Sequence, residues 1–168
     1  MIRLLPLLFI LATLLPAQHI GVGVKGGVPI IDATKLIDRN LTSIRKGDFV
    51  VGPMVELLLP AGLGVELNAL YRRGNGVSTL EFPLVGKYRF PGILVRPTIS
   101  GGFVFQRLTD IPGLDNRKGI IAGGGVEIKL PKLRIGPELR YTRYNRQITG
   151  RGFLTGTNQV DLLVGFSF

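Results

Sequence analysis

The sequence predicts an all-β fold, an eight-stranded antiparallel up-and-down β-barrel, on three observations. Apolar and polar residues alternate with a period of two over eight stretches of about ten to thirteen residues. The connections alternate between brief turns and longer polar loops. Every glutamate falls on the polar parity of its stretch, so the two faces of the sheet differ sharply in charge. No helical period competes with this pattern after residue 17.

The chain opens on a segment outside the fold. Arg3 supplies a positive start, Leu4 to Leu15 is almost wholly apolar, and Leu15-Pro16-Ala17 offers a small residue for cleavage, the layout of a secretory signal. Roughly twelve apolar residues are too few for a membrane-spanning helix, which needs about 20, and Pro6 and Pro16 oppose a buried one. The expected organisation is a cleaved signal over 1–17 and one barrel domain over 18–168. The chain lacks cysteine, which excludes disulfides and thiolate metal sites.

The first strand is expected at about 19–29, with Ile20, Val22, Val24 and Val28 on one face and Lys25 on the other. A long polar stretch separates it from the second, at about 49–59, where Phe49, Val51, Val55 and Leu57 oppose Gly52, Met54 and Glu56. Pro60-Ala61-Gly62 is a tight turn. The third strand, about 63–73, sets Leu63, Val65, Leu67 and Tyr71 against Glu66, Asn68 and Arg72. Asn75-Gly76 marks a loop, and the fourth strand, about 78–90, sets Leu80, Phe82, Leu84, Tyr88 and Phe90 against Glu81, Lys87 and Arg89. After the turn at Pro91-Gly92 comes the fifth, about 94–107, with Val95, Ile99, Phe103 and Phe105 against Arg96, Ser100 and Gln106. A loop over 108–117 leads to the sixth, about 118–130, with Ile120, Val126 and Ile128 against Glu127 and Lys129. Pro131-Lys132 turns the chain into the seventh, about 133–144, with Ile135, Leu139 and Tyr141 against Arg134, Glu138 and Arg140. The last, 158–168, sets Val160, Leu162, Val164, Phe166 and Phe168 against Gln159, Asp161, Gly165 and Ser167, with Leu163 as an apolar intruder on the polar face.

Alternation alone does not say which face points out: a soluble lipocalin-type barrel puts apolar residues inside, a membrane barrel outside. Three features favour the second. Glu56, Glu66, Glu81, Glu127, Glu138 and Asp161 share one face with Lys25, Arg72, Lys87, Arg89, Arg96, Lys129, Arg134 and Arg140, so the apolar positions are free of charges that would each cost about 2–4 kcal/mol near a bilayer midplane. Ten of the thirteen aromatics share the apolar parity. Phe49, Tyr71, Phe82, Phe105 and Tyr141 gather toward the long loops and Tyr88, Phe90, Phe166 and Phe168 toward the short turns, as interfacial girdles do. The apolar face is also too bulky for the interior of an eight-stranded barrel, which holds little beyond its own side chains. The expectation is a transmembrane barrel in a bacterial outer membrane, with short periplasmic turns and longer extracellular loops. Its inward charges should pair, because unpaired buried charge is costly, and a barrel so filled is a plug. A narrow solute channel and a secreted soluble lipocalin-like barrel holding an apolar ligand are the alternatives.

The same residues offer little for catalysis. His19 is the only histidine, and it stands at the start of the first strand, with none in the loops to act as a base. One histidine without cysteine builds no transition-metal cluster, so neither catalytic, metal nor cofactor-binding residues are expected. Lys35, Arg39, Arg45, Lys46, Arg73, Arg107, Arg117, Lys118, Arg143, Arg146 and Arg151 ring the long-loop rim of a chain whose formal charge is +10. In an exported barrel such a rim points to membrane lipid and lipopolysaccharide phosphates or acidic sugars, not to nucleic acid.

The closing strand, ending on Phe166 and Phe168, resembles the terminal strand of outer-membrane barrels, whose last aromatics the barrel-insertion machinery reads. V-G-P-M-V-E-L-L-L-P (51–60), G-V-E-L-N-A-L-Y-R-R (64–73), E-F-P-L-V-G-K-Y-R-F (81–90) and the opening G-V-K-G-G-V (23–28) resemble the PorT-like outer-membrane β-barrel domain family over nearly the whole mature chain. The resemblance implies architecture and no catalytic motif; members include a component linked to a secretion system.

Overall fold

The structure, a computed structural model, describes residues 19–31, 48–74, 77–108, 117–145, 149–150, 153–154 and 156–168. The signal expected over 1–17 and the loop bases Lys35, Arg39, Arg45, Lys46, Arg146 and Arg151 lie outside the described residues.

Each alternating stretch forms a strand within two residues of its expected bounds. The elements are β1 (His19–Ile31), β2 (Phe49–Leu58), β3 (Leu63–Asn68), β4 (Leu70–Gly74), β5 (Val77–Arg89), β6 (Val95–Leu108), β7 (Arg117–Lys129), β8 (Arg134–Tyr144), β9 (Thr149–Gly150), β10 (Phe153–Leu154) and β11 (Asn158–Ser167). β3 and β4 are one stave of the wall: both pair with β2 and β5, and the Ala69 amide between them still donates to the Pro53 carbonyl at 3.1 Å. The short β9–β10 hairpin stands apart from the wall, inside a connection that sequence reading left as plain loop. Between β2 and β3 the chain reverses through Pro60–Gly62, where Ala61 (φ 60°) and Gly62 (φ 80°) both take the left-handed conformation of a tight hairpin turn.

The eight staves are antiparallel throughout, and β1 pairs with both β2 and β11, so the sheet closes on itself and keeps no free edge. The register fixes its shape. A line of paired residues running from His19 through Leu58, Gly64, Lys87, Ser100, Gly123, Arg140 and Asp161 returns to β1 at Pro29, ten residues from its origin. That stagger over eight staves tilts the strands by about 40° and gives a backbone radius of about 8 Å. Each residue then climbs about 2.5 Å along the axis, so ten cross the ~25 Å apolar band of an outer-membrane barrel.

A cylinder this narrow brings neighbouring backbones close on its concave side, and small residues let it curve. A Cβ built on the inward-facing Gly102 would meet the Leu84 carbonyl oxygen at 2.0 Å, and one on Gly52 the Ala69 carbonyl oxygen at 1.9 Å.

The apolar face points outward. Leu67 is 54% exposed, Val24 53% and Phe103 61%, whereas Glu66 and Leu163 are wholly buried. This orientation is the reverse of a soluble barrel with an apolar core, and it removes the lipocalin-like alternative.

Candidate functional site: the barrel interior and its outer rim

The period of two sends alternate side chains of every stave to the axis, where side chains from opposite walls meet. The interior charges form three tiers. At the short-turn end, Glu56 accepts hydrogen bonds from Arg89 and, at 3.4 Å, from Arg134, while the Arg89 Nε donates to Glu127 at 2.8 Å. In the middle, Glu66 takes Lys25 and Lys87 as ion-pair partners and accepts from the Asn68 amide at 2.8 Å and the Arg140 Nη2 at 3.3 Å. Lys25, Asn68 and Arg140 converge on its Oε1, and Lys87 takes its Oε2. Glu138 beside it accepts from Lys25 at 3.0 Å, from the Arg140 Nε at 3.0 Å and from the Ser100 hydroxyl at 3.1 Å. At the long-loop end, Arg72 bridges Glu81 and Asp161, each at 2.7 Å, while Gln106 and Tyr144 donate to Glu81 and Gln159 donates to Asp161.

Six acids (Glu56, Glu66, Glu81, Glu127, Glu138, Asp161) thus meet six bases (Lys25, Arg72, Lys87, Arg89, Arg134, Arg140), and these ion pairs balance in charge. Two bases expected among them stand elsewhere. Arg96 donates its Nε to the Gly92 carbonyl in the turn at 2.8 Å, and Lys129 is exposed at the short-turn rim. A third residue moves the other way. Arg117, expected in the outer basic ring, is wholly buried as the first residue of β7, donates to the Gln106 side-chain oxygen at 2.8 Å and lies 4.3 Å over the Tyr144 ring. Its parity with Glu127 was the available signal; starting the strand one residue late hid it.

Apolar residues also enter the interior, which the alternation understated. Leu163, the intruder of the last strand, packs with Val50 and Leu70, while Val85, Val104, Ile121 and Tyr144 form a second cluster.

On the outer surface the ideal lattice places Phe49, Tyr71, Phe82, Phe105 and Tyr141 in one band and Tyr88, Phe90, Phe166 and Phe168 in another, about 17 Å apart along the axis. Phe103, left out of either band by sequence reading, lies two residues from Phe105 on the outer face of β6, opposite Leu84. Phe49 contacts Tyr71 with ring centroids 6.1 Å apart, and Tyr88 contacts Phe90 at 5.0 Å. The terminal Phe168 is 72% exposed, and its amide donates to the Val22 carbonyl at 3.0 Å. The described outward positions of the staves carry Arg73, Arg107, Lys118 and Arg143, all exposed bases at the long-loop end. Among the described residues no group of three or more His, Cys, Asp or Glu is placed to hold a metal ion.

Known structures share this architecture. The chain superposes on the N-terminal β-barrel domain of Pseudomonas aeruginosa OprF with a TM-score of 0.60 and 17% identity, over 89% of this chain and 96% of that one. The fold is that of the small outer-membrane β-barrels. Neisserial surface protein A (NspA) matches with a TM-score of 0.58 and 14% identity over 89% of this chain and 93% of its own, and OprG of Pseudomonas aeruginosa with 0.56 and 16% over 90% and 95%. At such identities the likeness is one of fold alone. No family model and no curated protein matches the sequence.

Proposed function

We propose that this chain is a small outer-membrane barrel with a structural, anchoring or surface-interaction role, and that its interior is a plug and not a pore. One observation carries this reading: the charges that would line a pore are buried and spent on one another, while leucines, valines and phenylalanines face outward. In this reading residues 1–17 direct export, the aromatic bands lie at the two membrane interfaces, and Phe166 and Phe168 end the signal for the insertion machinery. The long-loop rim faces outward, where its bases meet lipopolysaccharide phosphates. Kinship with the PorT-like family rests on the motifs at 51–60, 64–73 and 81–90 and is part of the same proposal. No catalytic role is assigned.

A second reading, a narrow polar channel, draws on a few buried polar atoms without a protein partner, among them the Asp161 Oδ1 and the Arg140 Nη1. These atoms are sealed from solvent, which favours the plug. Conductance decides between the two. Chain refolded into a planar bilayer, its folded state verified by different gel migration before and after boiling, should pass no steady current above the bare membrane. A sustained ohmic current would establish the channel instead.

A further inference from the structure

The interior ion pairs leave one set of charges unexplained. On the outer surface of the described staves every charged side chain is a base, and all stand at one rim, with no outward acid to balance them. Three of these lie on adjacent staves: Arg107 on β6, Lys118 on β7 and Arg143 on β8. The register places them on a rising diagonal. Ile120 sits opposite Arg143 and Phe103 opposite Ile120; one row higher, Lys118 sits opposite Phe105. The diagonal neighbours in such a ladder are about 7–8 Å apart, within reach of one headgroup for side chains this long.

Below and between these bases lies a groove of about 280 Å³ lined by Phe103, Lys118, Gly119, Ile120, Arg143 and Asn145, among others. Gly119 has no room for a side chain, since a Cβ there would meet the Arg143 carbonyl oxygen at 2.8 Å. The Asn145 amide donates to the Lys118 carbonyl at 2.9 Å, so the strand ends that hold the two bases are tied together. Lys118 leans over the Phe105 ring, its Nζ 5.7 Å from the centroid, which keeps the ammonium at the upper edge of the aromatic band.

We propose that this flank binds a phosphorylated lipid of the outer leaflet, with its phosphate on Lys118 and Arg143 and an acyl chain along Phe103 and Ile120. Arg107 extends the same charge toward a second phosphate. Charge complementarity selects the occupant: an apolar groove capped by bases, with no outward acid among the described strand residues, fits an anionic headgroup on an apolar tail, and neither a neutral lipid nor a free anion satisfies both halves. The inference rests on the outer-membrane reading above, and places the lipid on the flank of the wall and not on the loops.

Native mass spectrometry of the full chain in detergent tests it, with a bisphosphorylated lipid A and with phosphatidylethanolamine as probes. The chain should retain the bisphosphorylated lipid in preference to phosphatidylethanolamine. The Lys118→Gln/Arg143→Gln variant should bind it at least roughly tenfold more weakly, whereas Lys129→Gln/Lys132→Gln, which removes as much charge at the opposite rim, should not. Equal weakening in both variants, or no preference between the lipids, would overturn the site. Displacement by millimolar inorganic phosphate would also overturn it, since the apolar half would then be idle. If the double variant loses its heat-dependent gel shift, Arg143→Glu alone serves for the comparison. Failure of the membrane-barrel reading would show separately, as loss of that shift in the unaltered chain.

Discussion

Glu66 pairs with more cations than any other interior acid among the described residues, and no sequence pattern singled it out from the other glutamates. It faces Lys25, Lys87 and Arg140 from three different staves, together with the Asn68 amide. Removing its charge leaves three buried cations around one neutral group, and breaking a buried pair in this way costs about 3–5 kcal/mol. Glu66→Gln should therefore lower the unfolding free energy of the barrel, read from urea titration in detergent, by that much, while Lys129→Gln at the exposed rim should stay within about 0.5 kcal/mol of the parent. Glycine contrasts in the same way. On the concave side Gly102 abuts the Leu84 carbonyl, whereas outward Gly86 has the Gly101 carbonyl oxygen 3.6 Å from where its Cβ would stand. Gly102→Ala should cost about 1–3 kcal/mol through overpacking, and Gly86→Ala should be close to neutral in the same unfolding series. Parity in the sequence puts Gly102 on the inner face and Gly86 on the outer, and the path of the neighbouring strand sets how near its carbonyl comes.

At the scale of the strand, period-two alternation was fully legible, because adjacent residues of an extended chain must face opposite ways. It located the eight staves and sorted lipid-facing from axial positions. It erred where a strand end met a loop, as at Arg117, and where an inward position was apolar, as at Leu163. Neither error changes the parity; each reflects that alternation reports the face and not what packs on it. Depth along the strand predicts the cost of a misplaced charge. Leu67, near mid-height on the ideal lattice, and Ile20, at the short-turn rim, are both outward and exposed. Leu67→Arg should destabilise the barrel folded into lipid vesicles by about 2–4 kcal/mol, and Ile20→Arg by about 0–1 kcal/mol. Equal costs at both sites would place the membrane elsewhere on the wall.

For the whole molecule, closure governs both stability and activity. The β1–β11 pairing leaves no edge, and Phe168 is pinned to β1 by its own amide, so the chain's first and last strands complete the wall together. In the proposed plug, the interior ion pairs occupy the space a conducting barrel needs. The expected absence of current and the expected lipid selectivity are therefore separate consequences of one orientation: the ion-paired acids and bases turn inward, and the outward-facing bases of the described strands stand at the long-loop rim.

The sequence by itself determined the strand count, the two faces and which residues lie on each, since these depend only on local geometry and on the cost of charge in an apolar medium. The tertiary structure alone decided the ten-residue stagger, the partner of each interior charge and the grouping of Lys118 and Arg143 beside Phe103. Those depend on register between strands far apart in the chain, and a shift of register alters every cross-barrel neighbour while leaving the alternation within each strand untouched.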